Sequence, residues 1–258
     1  MYILSERNRF RVGKTYISIT SFENTIDLLE KMARSGNNYQ VVVSDFRSVC
    51  YATDNVDYRR IVCRGSLNIP DGMPLIWLSR LWGLKNLSRI SGPELFISML
   101  KRDQTGLKHY LLGDTEEVLE RIVMKYQNGS ETRISGWFSP PFQELNEFDY
   151  AGIAHRINES GANLVWISMT SPKQDFFASQ IEPLLNGKVV IGVGAAFRYS
   201  IGTYKLPSVF LQKIGLTGLF IRKKSFWQLK WYIKHIVRLI HFSAQILYWR
   251  ISGIKFYD

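Results

Sequence analysis

The chain has 258 residues, 46% of them hydrophobic, enough to bury a sizeable core as one large domain or one domain with an appendage. Thirty-three Lys and Arg oppose 22 Asp and Glu for a formal charge of +11, so the favoured partners are anionic: nucleotide phosphates, nucleic acid or the acidic face of a bilayer. Cys50 and Cys63, the only cysteines, both lie in apolar surroundings, which argues against a disulfide framework or a thiolate metal site and fits a reducing cytoplasm. The charges scattered through Met1 to Lys14 leave no apolar core for a secretory signal, so the expected location is cytoplasmic.

Apolar runs alternate with helical patterns along the chain. Tyr16 to Ile19 is strand-like, and Thr20 or Ser21 can cap a helix running to about Arg34, with Gly36 as its stop. Gln40 to Ser44 is nearly all valine, the signature of a strand buried on both faces of a parallel sheet. Helical patterns follow over Arg47 to Cys63, Met73 to Trp82 and Pro93 to Arg102. Strand His109 to Leu112 ends at Gly113-Asp114-Thr115, where Thr115 can cap a helix to about Tyr126. Strand Arg133 to Gly136 leads into a loop, Trp137 to Phe142, whose Pro140-Pro141 forbids helix. A helix over Asn146 to Glu159, strand Asn163 to Ser168, a helix over Gln174 to Leu185 and strand Val189 to Val193 complete the series. Strands separated by helices mean βαβ units, so the expected class is α/β, a Rossmann-like and largely parallel sheet flanked by helices.

The chain changes character after residue 204. Residues 205 to 258 carry Lys205, Lys213, Arg222, Lys223, Lys224, Lys230, Lys234, Arg238, Arg250 and Lys255 against Asp258 alone, interleaved with Trp227, Trp231, Phe242, Tyr248 and Trp249. Lys234 and Arg238 interrupt the apolar stretch, and Leu239 to Trp249 falls short of the ~20 residues a spanning helix needs. Two readings compete: a basic amphipathic helix lying in the headgroup plane, or one packed on the main domain with its charges solvated. The one-sided charge and the surplus of aromatics favour the first, giving an α/β core over 1–204 and a membrane-associating appendage over 205–258.

Open α/β sheets bind ligands in the crevice beyond their strand ends, and several polar clusters fall there. Asp71, between Pro70 and Gly72 and just ahead of a helix, would project a carboxylate from a loop tip and could take a proton from an attacking hydroxyl. Pro-Asp-Gly is also ordinary turn chemistry, and spacing alone favours the turn. Pro172-Lys173-Gln174 opens a helix after a strand, where the dipole and the Lys173 charge suit an anion, although Pro172 is equally a good first-turn residue. Gly192-x-Gly194 with Ala195 lets backbone approach a ligand, but the full dinucleotide fingerprint is absent. Arg89 with Gly92 could hold a phosphate, or Arg89 could be a surface charge. His109, His155, His235 and His241 lack metal-ligand spacing, so neither a metal nor another cofactor is expected.

Together these pieces resemble the WecG/TagA/CpsF family of bacterial glycosyltransferases from about Ile17 to about Tyr232. The matching segments are Asp54 to Tyr58, Pro70 to Pro74, Arg89 with Gly92, Leu112-Gly113, Ser139 to Phe142, Pro172 to Gln174, Gly192 to Phe197, Gly202, Pro207 and Gly215-Leu216. The resemblance implies a Rossmann-like core distinct from the two commonest glycosyltransferase folds. It also implies inverting, metal-independent transfer of a hexose or N-acetylhexosamine-type sugar from a UDP-sugar to a polyprenyl-pyrophosphate-linked acceptor. That reaction would occur on the inner face of the cell membrane during surface polysaccharide synthesis. Carried over by motif, Asp71 matches the family's proposed base and Gln174 a polar residue near it, while Gly113, Gly194 and Ala195 fall where backbone lines the nucleotide-sugar pocket. This chain departs from the pattern where Asp45 replaces the usual Asn, Arg198 the usual acid and Thr217-Gly218 the usual Glu-Trp; Arg222 lies about one position from the expected arginine. A catalytically inactive nucleotide-sugar-binding scaffold is the competing expectation, a nucleic-acid-binding protein a more distant one, and self-association stays open.

Overall fold

The computed structural model describes residues 8–102, 106–127, 133–205, 208 and 226–255. Six parallel strands form the central sheet in the order β4-β3-β8-β7-β5-β6: β3 (Tyr39–Ser44), β4 (Leu67–Pro70), β5 (Lys108–Gly113), β6 (Arg133–Phe138), β7 (Leu164–Ser168) and β8 (Val189–Gly192). β7 and β8 are buried throughout, and their side chains alternate between two cores as the period-2 pleat demands. Leu164, Trp166, Val189 and Ile191 pack on one face against α1 (Phe22–Arg34), α5 (Gly92–Lys101), α6 (Glu116–Gln127) and α9 (Ala196–Ser200). Val165, Ile167 and Val190 pack on the other against α7 (Tyr150–Glu159) and α8 (Lys173–Ile181). The parallel α/β architecture expected from the valine-rich runs is the one observed.

Local side-chain chemistry moves several boundaries. The helical pattern over Arg47 to Cys63 is two helices, α2 (Phe46–Asp54) and α3 (Val56–Arg64). Asn55 breaks it by adopting extended backbone, φ −110° and ψ 114°, and accepting from Tyr58 N–H to cap α3. Asp149 likewise caps α7 through Gly152 N–H, so the helix begins at Tyr150 and a short 3₁₀ turn, Leu145–Glu147, precedes it. β6 runs to Phe138 because Trp137 and Phe138 still pair with Leu111 and Leu112; the two prolines stop the strand only beyond them.

A satellite core joins the two ends of the described chain. β1 (Arg9–Val12) and β2 (Thr15–Ser18) form an antiparallel hairpin whose turn contains Gly13 at φ +57°. A Cβ there would lie 2.9 Å from the Phe242 ring, so only glycine allows both the turn and the approach of the last helix, α10 (Phe226–Ile251). Phe242, Ile246 and Trp249 bury with Phe10, Val12, Ile17, Phe46, Leu75 and Trp82, the last from the cap of α4 (Met73–Leu81). Trp82 stacks on Trp249 at 5.8 Å and donates its indole N–H to Arg11 O at 2.9 Å. Ile246 is fully buried, and Ile246→Ala should cost about 3 kcal/mol, read as a lower urea midpoint with unchanged m-value.

The opposite face of α10 is uncovered. Ile233, Ile236, Val237, Ile240, Leu247, Tyr248 and Ile251 recur at three- and four-residue intervals and are all exposed. Among the described residues no helix is long and apolar enough to cross a membrane.

Candidate functional site

All six parallel strands deliver their C-terminal ends to one edge, and a cavity of about 1050 Å³ opens there. Its floor and walls come from residues at the ends of five of the strands: Asp45 after β3, Gly113 and Asp114 at β5, Ser139 to Phe142 after β6, Ser168 to Lys173 at β7, and Gly194 with Ala195 after β8. α10 closes one side with Lys234, His235 and Arg238. Asp71, Arg89, Gly92 and Gln174 stand behind or beside this lining rather than in it.

Asp71 sits immediately beyond β4. Its N–H donates to Ser44 O at 2.7 Å, and Pro70 O accepts from Ile90 N–H at 2.9 Å, which fixes both sides of the turn. Arg89 Nη1 lies 3.6 Å from Asp71 Oδ1, and the same guanidinium reaches Glu94 at 3.9 Å. Desolvation, with the negative charge of Asp45 added, raises the Asp71 pKa to about 7, although Arg89 and Arg47 pull the other way. The side chain still keeps 33% of its surface exposed. A partly accessible carboxylate titrating near neutrality is suited to accept a proton from a substrate hydroxyl. Gly92 serves this corner sterically: a Cβ would lie 2.9 Å from Val193 O.

The other polar residues are mostly engaged with the protein. Gln174 is buried at 3% exposure, packs on Gly192 and accepts from Gly194 N–H at 2.8 Å, so it shapes the β8–α9 turn. Gly194 O accepts from Ser168 Oγ at 2.7 Å. Lys173, one residue beyond the Pro172 cap of α8, donates its ammonium to Gln143 O and lies over the rings of Phe142 and Phe148, pinning the loop after β6. Gly113 has φ +100°, and a Cβ would strike Ser168 O at 2.5 Å, so glycine is obligatory there. Arg222 lies outside the described residues.

Three constellations escaped the sequence reading as site elements. Asp114, the one described non-glycine residue with positive φ (+58°), receives hydrogen bonds from Arg198 Nε and Nη2 at 2.9 to 3.1 Å across the mouths of β7 and β8. Arg238 bonds Cys50 O at 2.6 Å and both oxygens of Asp54, which holds the Asp54 carboxyl below its ordinary range and ties α10 to α2 at the cavity wall. Tyr58 donates to Asp175 at 2.8 Å beneath the floor, where burial lifts the Asp175 pKa to about 7. A carboxylate in Gly-Asp-Thr and an arginine in a basic tail were visible signals; their partners, 84 and 184 residues away, were not. Burial pushes the Cys50 thiol up to about 11, which leaves it a poor nucleophile. Among the described residues no three His, Cys, Asp or Glu side chains converge to hold a metal.

A crevice at the carboxyl ends of a parallel sheet, floored by the positive-φ turns at Gly113 and Gly194 and flanked by a carboxylate and cations, is the architecture of a Rossmann-like α/β protein. The chain belongs to the glycosyl transferase WecG/TagA/CpsF family, whose model matches residues 10–253. It is also similar to an N-acetylglucosaminyldiphosphoundecaprenol N-acetyl-beta-D-mannosaminyltransferase of Bacillus spizizenii, 26% identical over 164 residues; the match spans 62% of each chain.

Proposed function

We propose that the chain transfers an N-acetylhexosamine-type sugar, with inversion, from a UDP-sugar to a sugar carried on a polyprenyl pyrophosphate in surface-polymer synthesis. The observation that carries this reading is Asp71, poised near neutral pH beside a cavity at the strand ends, in a chain of this family. The relative's printed activity supports N-acetylmannosamine as donor sugar and a lipid-diphosphate-linked N-acetylglucosamine as acceptor. At about 1050 Å³ the cavity reaches the upper end of the range for small-molecule sites, room enough for both reacting sugars and the nucleotide diphosphate.

In the mechanism, Asp71 takes the proton of an acceptor hydroxyl as that oxygen attacks the anomeric carbon from the face opposite the diphosphate. The anomeric C–O bond breaks, and UDP leaves with the electron pair. Lys234 and Arg238 on the cavity wall share the single carboxylate of Asp54, so the pair carries a net positive charge toward the departing diphosphate. The exposed apolar stripe of α10, with these cations beside it, supports a peripheral position on an anionic membrane, where the lipid acceptor resides.

Incubation of the purified protein and a synthetic polyprenyl-pyrophosphate N-acetylglucosamine with a panel of UDP-sugars, scored for UDP release, tests the reading. UDP-N-acetylmannosamine should turn over fastest. UDP binding without turnover of any donor would favour the inactive scaffold instead.

A further inference from the structure

β3 and β4 end side by side. Ser44 pairs with Pro70 in parallel register, so the next residues, Asp45 and Asp71, leave the sheet as neighbours, joined by the Asp71 N–H to Ser44 O bond. Asp45 is held rigidly: Oδ1 accepts from both the N–H and the hydroxyl of Ser48, capping α2, and Oδ2 accepts from Arg47 Nε at 2.5 Å. Its side chain is 25% exposed and lines the cavity. A cap needs only an oxygen acceptor, and asparagine serves as well as aspartate. The full charge at this position is therefore more than the helix requires.

We propose that Asp45 is a positioning residue for proton transfer at Asp71: its carboxylate, clamped beside the base at the neighbouring strand end, sets the charge around Asp71, and its grip on Arg47 limits how closely that cation approaches. This rests on the reading of Asp71 as base. Among the described residues, the charged and titratable groups around Asp71 include Asp45 and Arg47 at the start of α2, Arg89 and Glu94 around the start of α5, and Tyr199 on α9. Those around Asp45 include Arg47 and Cys50 on α2, Asp71, and Asp175 on α8. Burial and Asp45 act on Asp71 in the same direction, and Arg89 and Arg47 oppose them. Without Asp45, both its charge and its restraint on Arg47 disappear, and both losses make Asp71 a weaker base.

The test is Asp45→Asn, which keeps the cap. Carboxyl-carbon NMR of aspartate-labelled protein, with the Asp71 resonance assigned by its absence in Asp71→Asn, should show the Asp71 midpoint falling by about one pH unit, the size of a like charge acting across a partly exposed site. The acidic limb of kcat/KM should fall with it, and the plateau should drop about threefold as the base weakens. Arg47→Gln should move the midpoint the other way, which keeps the test open if Asp45→Asn folds poorly. An Asp71 midpoint unmoved in both variants overturns the proposal whatever the activity. A midpoint that moves while the kinetic limb stays fixed leaves the coupling standing but removes Asp71 as base, and the catalytic role of Asp45 with it.

Discussion

Asp71→Asn should lower kcat/KM for sugar transfer by about 10³-fold, within the range that a positioned general base contributes. The amide is nearly isosteric, and the backbone N–H that anchors the turn on Ser44 is untouched. The ion pair given up is a long one, 3.6 Å to an arginine that also reaches Glu94, and such partly exposed pairs contribute less than about 1 kcal/mol. Thermal stability and UDP affinity should therefore stay near wild type while turnover collapses. The wild-type pH profile carries the same information. Because the active form is the deprotonated carboxylate and its pKa is raised to about 7, kcat/KM should climb as pH rises toward 7 and level off above it. Transfer by Asp71→Asn at the wild-type rate would end the base assignment.

Ile236→Asp combined with Ile240→Asp should abolish binding to vesicles of anionic phospholipid. Both side chains are more than half exposed, at 56% and 64%, so their replacement removes little packing from the folded protein. An isoleucine inserted at the acyl boundary contributes about 1.5–3 kcal/mol, so losing two weakens partitioning by roughly two orders of magnitude or more. Co-flotation at low and high salt would separate the contributions: added salt should weaken the wild type through Lys234 and its neighbours without mimicking the double variant. Equal flotation of wild type and variant would mean that the stripe faces something other than lipid.

The sheet was legible because its signal is local. Runs such as Val41 to Val43 and Leu164 to Ile167 suit strands buried on both faces of a helix-covered parallel sheet, and polar residues that end such runs then fall at the crevice by topology alone. Breaks set by a single capping side chain were less legible: nothing in the apolar period over Arg47 to Cys63 shows that Asn55 will turn its own carbonyl oxygen onto Tyr58 N–H. The hairpin strand Arg9 to Val12 was missed because four alternating residues carry too little pattern, and their apolar partners Phe242 and Trp249 lie at the far end of the chain. In the site, residue identity predicted location better than role. Lys173 reads as a free cation, yet it is engaged by a carbonyl and two rings; Gln174 reads as a ligand contact, yet it holds Gly194 in place. Which atoms a polar side chain satisfies depends on partners that only the fold brings near.

The fit of Phe242 against Gly13 has a practical consequence for anyone shortening this protein. Trimming the final helix to improve solubility would strip the lid from Phe10, Val12 and Trp82 and leave a raw oily scar on the body, inviting precipitation rather than preventing it. Blunting the outward isoleucines while leaving the inward ring in place is the edit that the architecture tolerates.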